Sequence, residues 1–137
     1  MIVPAAMRSI LIVDDEPLVL QTMEMLLAFE GHHVEAANNG ESALEKFAIQ
    51  DFDIVFTDQR MPNMSGEALA IAIKKRAPHQ IVVMVSGNAE PVVQKKGEQA
   101  FIDFTLQKPF LLHELREILP KATLKRAVKV PEFSFEC

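Results

Sequence analysis

An apolar run, Ile10-Leu11-Ile12-Val13, stops at three consecutive acids, Asp14, Asp15 and Glu16. Adjacent carboxylates repel one another and are costly to bury without a partner. A further acid, Asp58, closes a second apolar run, Ile54-Val55-Phe56-Thr57; Ser86 closes a third, and Lys108, followed by Pro109, a fourth. If one fold gathers these groups, three clustered carboxylates call for a divalent cation, because otherwise one of them has to stay protonated. The donors are hard oxygens with no His or Cys among them, which points to Mg2+ rather than Zn2+. A Mg2+ site beside an exposed Asp and a Lys is a phosphoryl-transfer constellation, in which cationic groups neutralise the equatorial oxygens while a carboxylate attacks in line.

The elements that must position these residues are legible as an alternation. Runs at Ile10–Val13, Val34–Ala37, Ile54–Thr57, Ile81–Ser86 and about 101–107 are rich in β-branched residues and nearly continuous in hydrophobicity. Such runs suit strands buried on both faces of a parallel sheet. Between them, Val19, Met23, Leu26 and Leu27 give one helical stripe, and Ala43, Leu44, Phe47, Ala48 and Ala68, Leu69, Ala72, Ile73 give narrower ones. Pro17 suits a first helical turn, Gly31 a helix stop, and Asn39-Gly40 a turn before the second helix. A fourth helix, the weakest, is expected between Asn88 and Gln99, with Pro91 near its start and Gly97 near its end. A fifth is expected from about Phe110 to Leu119.

The order βαβαβαβαβα implies an α/β fold, a doubly wound five-stranded parallel sheet of flavodoxin-like order 2-1-3-4-5 with helices on both faces. In that order the first and third strands are neighbours at the switch point, and functional groups gather at the carboxyl ends of the strands. Asp14, Asp15, Asp58, Ser86 and Lys108 then meet at one edge.

Composition narrows the function classes. A chain of 137 residues with 49% hydrophobic and 24% charged residues fits one globular domain, read as an extension at 1–7, a body at 8–120 and a tail at 121–137. The net charge of −5 is concentrated in the body, where ten Lys/Arg face seventeen Asp/Glu, so direct nucleic-acid binding is not expected. The one cysteine, Cys137, allows no internal disulfide, and the opening MIVPAAM lacks the basic region and length of a signal peptide; with no membrane-length apolar run, a cytoplasmic protein is expected. His32, His33, His79 and His113 lack carboxylate partners at ligand spacing and read as surface residues.

The segments ILIVDDEP, DIVFTDQRMPNMSG, VVMVSGNAE and LQKPF, in that order over about residues 8 to 120, resemble the receiver domains of two-component response regulators. The resemblance implies that Asp58 accepts a phosphoryl group from a phosphohistidine, and that Asp15 ligates Mg2+ directly while Asp14 holds it largely through water. It further implies that the Arg60 backbone carbonyl is another ligand, that Ser86 is the switch hydroxyl and Lys108 the phosphoryl-binding lysine, and that the peptide before Pro109 is cis. Arg60 and Asn88 take positions that border the route of the hydrolytic water. The implied partners are a sensor histidine kinase or phosphotransfer protein and a downstream protein effector, with no membrane partner. A homodimer through the fourth helix, fifth strand and fifth helix is also implied. Such a protein catalyses its own phosphorylation and dephosphorylation and is not a turnover enzyme.

Three residues before Lys108 the family usually has Tyr or Phe, and here stands Thr105. Phe104 can replace that ring only through a bulge or a register slip, because neighbours on a strand face opposite ways. Two other readings are a phosphorylation-independent docking module and a phosphatase of the haloacid-dehalogenase type. The latter places a second acid two residues after its nucleophile, where this chain has Arg60.

Overall fold

The computed structural model describes residues 8–87 and 101–129. Five strands, β1 (Ser9–Val13), β2 (His33–Ala37), β3 (Ile54–Asp58), β4 (Ile81–Ser86) and β5 (Phe104–Gln107), form one sheet in the order β2-β1-β3-β4-β5. All four pairings are parallel. The helices are α1 (Pro17–Phe29), α2 (Gly40–Ile49), α3 (Gly66–Arg76) and α4 (Leu112–Lys129). The expected fold class is therefore the observed one. The helix expected between Asn88 and Gln99 lies outside the described residues.

Strand alternation divides the core in two. Ile10, Ile12, Ile54, Phe56, Val83 and Val85 face α1 and α4, meeting Met23, Leu27, Leu115 and Ile118. Leu11, Val13, Val55, Val82 and Met84 face α2 and α3, meeting Ala43, Leu69, Ala70 and Ile73. Both faces of the central strands are covered, which is why those runs are apolar throughout instead of alternating. On α3 the buried residues are Gly66, Leu69, Ala70, Ile73 and Lys74; Ala68, expected in that stripe, is exposed.

The ends of the elements follow local chemistry. Pro17 opens α1, and Gly31, at φ 95°, turns the chain after it. Asn39 and Ser65 cap α2 and α3 by accepting the backbone N–H of Ser42 and Ala68. β5 is shorter than its apolar run because Asp103 takes over the start of the ladder. Its carboxylate accepts the Val82 N–H at 2.8 Å while its own N–H donates to the Val82 carbonyl at 2.9 Å.

Two further expectations are corrected. The last helix does not end at Leu119 but runs through Pro120 to Lys129. Proline forfeits one hydrogen bond there, and tertiary contacts hold the continuation: Ala122 is fully buried, Thr123 Oγ1 accepts from Arg8 Nε at 2.7 Å, and Arg126 pairs with Asp53 at 2.8 Å. His32 is not a surface residue. It is buried, and its Nδ1 accepts the Arg8 backbone N–H at 3.1 Å, so burial and the nearby Arg8 charge hold its pKa below the usual range. The other three histidines are exposed.

Candidate functional site

The carboxyl edge of the sheet collects the residues singled out by type. Asp14 follows the last residue of β1; its N–H continues the ladder to the Ala37 carbonyl at 3.2 Å, and its side chain is buried. Asp15 is exposed beside it. Asp58 is the last residue of β3, and the Gln59 N–H donates to the Val85 carbonyl at 3.1 Å, carrying the β3–β4 pairing one step further. Ligand-capable oxygens of Asp14, Asp15 and Asp58 all lie within 4.8 Å of one another. Residues 44 apart in sequence thus share one site because β1 and β3 are adjacent.

Lys108 completes the cluster. Its N–H donates to the Ser86 carbonyl at 2.8 Å, and the Lys108–Pro109 peptide is cis. Its Nζ donates to Asp14 Oδ2 at 2.9 Å and to Asp58 Oδ1 at 3.2 Å, with Glu16 Oε1 at 3.6 Å. The other oxygen of Asp14, Oδ1, accepts the Glu16 N–H at 2.9 Å.

Charge in this cluster is unbalanced. Burial, reinforced by the Asp14 charge, pushes the Asp58 carboxyl above its ordinary pKa, and Lys108 only partly offsets this. Burial alone would depress Lys108, but the hydrogen bonds and charges of Asp14 and Asp58 hold it above the usual lysine value. Three carboxylates against one ammonium leave an excess negative charge on hard oxygen donors, which fits a small divalent cation.

A cavity of about 920 Å3 opens on this edge. Its lining combines Asp15, Asp58 and Lys108 with the apolar side chains of Leu18, Leu26 and Phe110. Arg60 lines it as well. Ser86 is buried at the end of β4, opposite Gln107 of β5. Thr105 is exposed and pairs with Met84, whereas Phe104 pairs with Val83 and turns to the α4 side, where Lys125 Nζ lies 5.1 Å from its ring centre. The β4–β5 register is continuous, so no bulge brings Phe104 to the position of Thr105. Asn88 lies outside the described residues.

Sequence reasoning missed two features. Glu16 was counted as an acid but not as a neighbour of Lys108, which only the fold reveals. The bond from Gln59 Nε2 to Glu67 Oε2, 2.9 Å across the β3–α3 loop, has no sequence signature.

The family model of the response regulator receiver domain matches residues 10–120. The chain belongs to this family. This receiver domain is 36% identical over 127 residues to the response regulator protein PilR of Pseudomonas aeruginosa, covering 91% of this chain and 28% of PilR. It is 32% identical over 108 residues to the sensor protein EvgS of Escherichia coli, covering 79% of this chain and 9% of EvgS. The chain thus spans less than a third of either relative. Among solved structures, the response regulator TrrA of Thermotoga maritima, in complex with Mg2+ and BeF, superposes with a TM-score of 0.75 at 31% identity, covering 85% of this receiver and 99% of that chain. No described helix of the receiver is long and apolar enough to cross a membrane.

Proposed function

We propose that this receiver is a phosphorylation-controlled switch whose acceptor is Asp58. An Asp58 oxygen attacks the phosphorus of a phosphohistidine; the N–P bond breaks, the imidazole leaves with the electron pair and takes up a proton, and an acyl phosphate forms on Asp58. Lys108, already 3.2 Å from Asp58, turns its ammonium to the incoming phosphoryl oxygens. Asp15, Asp14, Asp58 and the Arg60 backbone carbonyl would hold Mg2+, which supplies charge neutralisation at those oxygens. Ser86, buried at the end of the neighbouring strand, donates its hydroxyl to the phosphoryl group once it is in place.

The observation that carries this reading is the short contact of one half-buried ammonium with two buried carboxylates, Asp14 and Asp58, inside a three-acid cluster. A cluster that served only to stabilise the fold would gain more from apolar side chains of similar volume. The donor is a sensor histidine kinase or a phosphotransfer protein, and the output is a changed surface for a protein effector, all in the cytoplasm. The chain catalyses its own phosphorylation and dephosphorylation and turns over no separate substrate. The receiver motifs span residues 8–120, and the α4 continuation to Lys129 docks on that body.

Electrophoresis in a phosphate-retarding gel tests the reading. Wild type incubated with acetyl phosphate and Mg2+ gives a retarded band that Asp58→Ala abolishes. A retarded band that persists in Asp58→Ala, or none in wild type, refutes it.

A further inference from the structure

The residue after the acceptor is held on three sides. The Gln59 N–H donates to the Val85 carbonyl at 3.1 Å, its carbonyl accepts the Gly66 N–H at 2.9 Å, and its side-chain Nε2 donates to Glu67 Oε2 at 2.9 Å. Gly66 and Glu67 are the first two residues of α3. The same turn of α3 presses on the acceptor itself: a Cβ on Gly66 would collide with the Asp58 carbonyl oxygen and would come within 2.9 Å of Met84 Sδ. The first turn of α3 is therefore a template against which the backbone of Asp58 and Gln59 rests.

One of these contacts is not required by the fold. The main-chain bonds of Gln59 extend a strand and close a loop, but the side-chain bond to Glu67 spans a partly exposed surface where a hydrated glutamine would serve equally for stability. Its effect is geometric. With both its carbonyl and its side chain tied to α3, Gln59 cannot rotate the peptide that joins it to Arg60, and Arg60 lines the cavity at the acid cluster.

We infer that Glu67 is a positioning residue for the cation site, fixing through the Gln59 carboxamide the direction in which the Arg60 main chain meets Mg2+. This rests on the Mg2+ reading given above. A competing effect is simple charge: Glu67 is an acid near the cluster and in the first turn of a helix, where negative charge is favourable. The two effects separate by substitution. Glu67→Gln removes the charge but keeps an oxygen that accepts from Gln59, whereas Glu67→Ala removes both.

Calorimetric titration with Mg2+ alone measures affinity, and the initial rate of autophosphorylation from acetyl phosphate at limiting and saturating Mg2+ separates binding from chemistry. The expected result is a threefold or larger loss of Mg2+ affinity in Glu67→Ala, with the rate at saturating Mg2+ within about twofold of wild type. Glu67→Gln is expected to behave as wild type. Gln59→Ala should reproduce the Glu67→Ala loss, and the double variant should lose no more than either single one. Melting curves in the absence of Mg2+ establish that all variants are folded. Equal losses in Glu67→Gln and Glu67→Ala, or no loss in Glu67→Ala, overturn the inference and leave the Mg2+ site standing. Wild type that takes up no Mg2+ overturns both.

Discussion

Replacing Lys108 by Met keeps the stem that packs at the cavity wall and deletes the ammonium that touches Asp14 at 2.9 Å and Asp58 at 3.2 Å. The side chains of Lys108, Asp14 and Asp58 are 17%, 3% and 9% exposed, so solvent screens these contacts weakly. Breaking a buried pair costs about 3–5 kcal/mol, and the open cavity beside Lys108 places this one near the lower end, at about 3 kcal/mol. Proton uptake limits the loss. Asp58 already has a raised pKa from burial and Asp14, and removing Lys108 raises it further. A group whose folded pKa lies above its unfolded value binds more protons when folded, so stability falls as pH rises through the folded pKa. Lys108→Met should therefore lose about 3 kcal/mol near pH 8 and less as the pH falls through the raised Asp58 pKa. The chain has no Trp or Tyr, so urea unfolding is best followed by far-ultraviolet circular dichroism. A loss below about 1 kcal/mol near pH 8, or one independent of pH, would refute the electrostatic account of this cluster.

Other perturbations probe its neighbours. Asp58→Asn removes a desolvated carboxylate repelled by Asp14, so without Mg2+ its melting temperature should exceed that of wild type at neutral pH, the difference shrinking in acid as wild-type Asp58 takes up its proton. Thermal melts should rise on adding Mg2+, by about 1.4 kcal/mol of stability at a tenfold excess over Kd, and Asp15→Ala should remove most of that gain. Gly66→Ala has no space for its Cβ against the Asp58 carbonyl and Met84, so urea unfolding should show a loss of about 1–3 kcal/mol, together with slower autophosphorylation because the acceptor backbone is displaced.

The sheet was legible because each central strand is buried on two faces and so appears as an unbroken apolar run, and the topology followed from the alternation of those runs with helical stripes. The acid cluster followed in turn, since strand ends at one edge of a 2-1-3-4-5 sheet have few places to be. What the sequence concealed are features set by contacts across the fold. Pro120 signals a helix end, yet Ala122 and Arg126 have docking partners in the sheet and the strand loops, and these outweigh one lost backbone bond. His32 reads as a surface residue in the sequence, but the Arg8 N–H needs an acceptor where β1 begins, and a buried imidazole provides it. Phe101 and Ile102 have strand composition, and Ile102 is buried, but the Asp103 carboxylate occupies the first ladder position.

Reduction of the phosphorylated protein with borohydride tests the central claim most directly, because an aspartyl phosphate is a mixed anhydride that hydride converts to homoserine while an unmodified carboxylate is inert. After incubation with acetyl phosphate and Mg2+, reduction and proteolysis, peptide mass spectrometry should find homoserine at position 58 and aspartate at positions 14 and 15. Homoserine at 14 or 15, or unmodified aspartate at all three positions, would contradict the assignment of Asp58 as the phosphoryl acceptor.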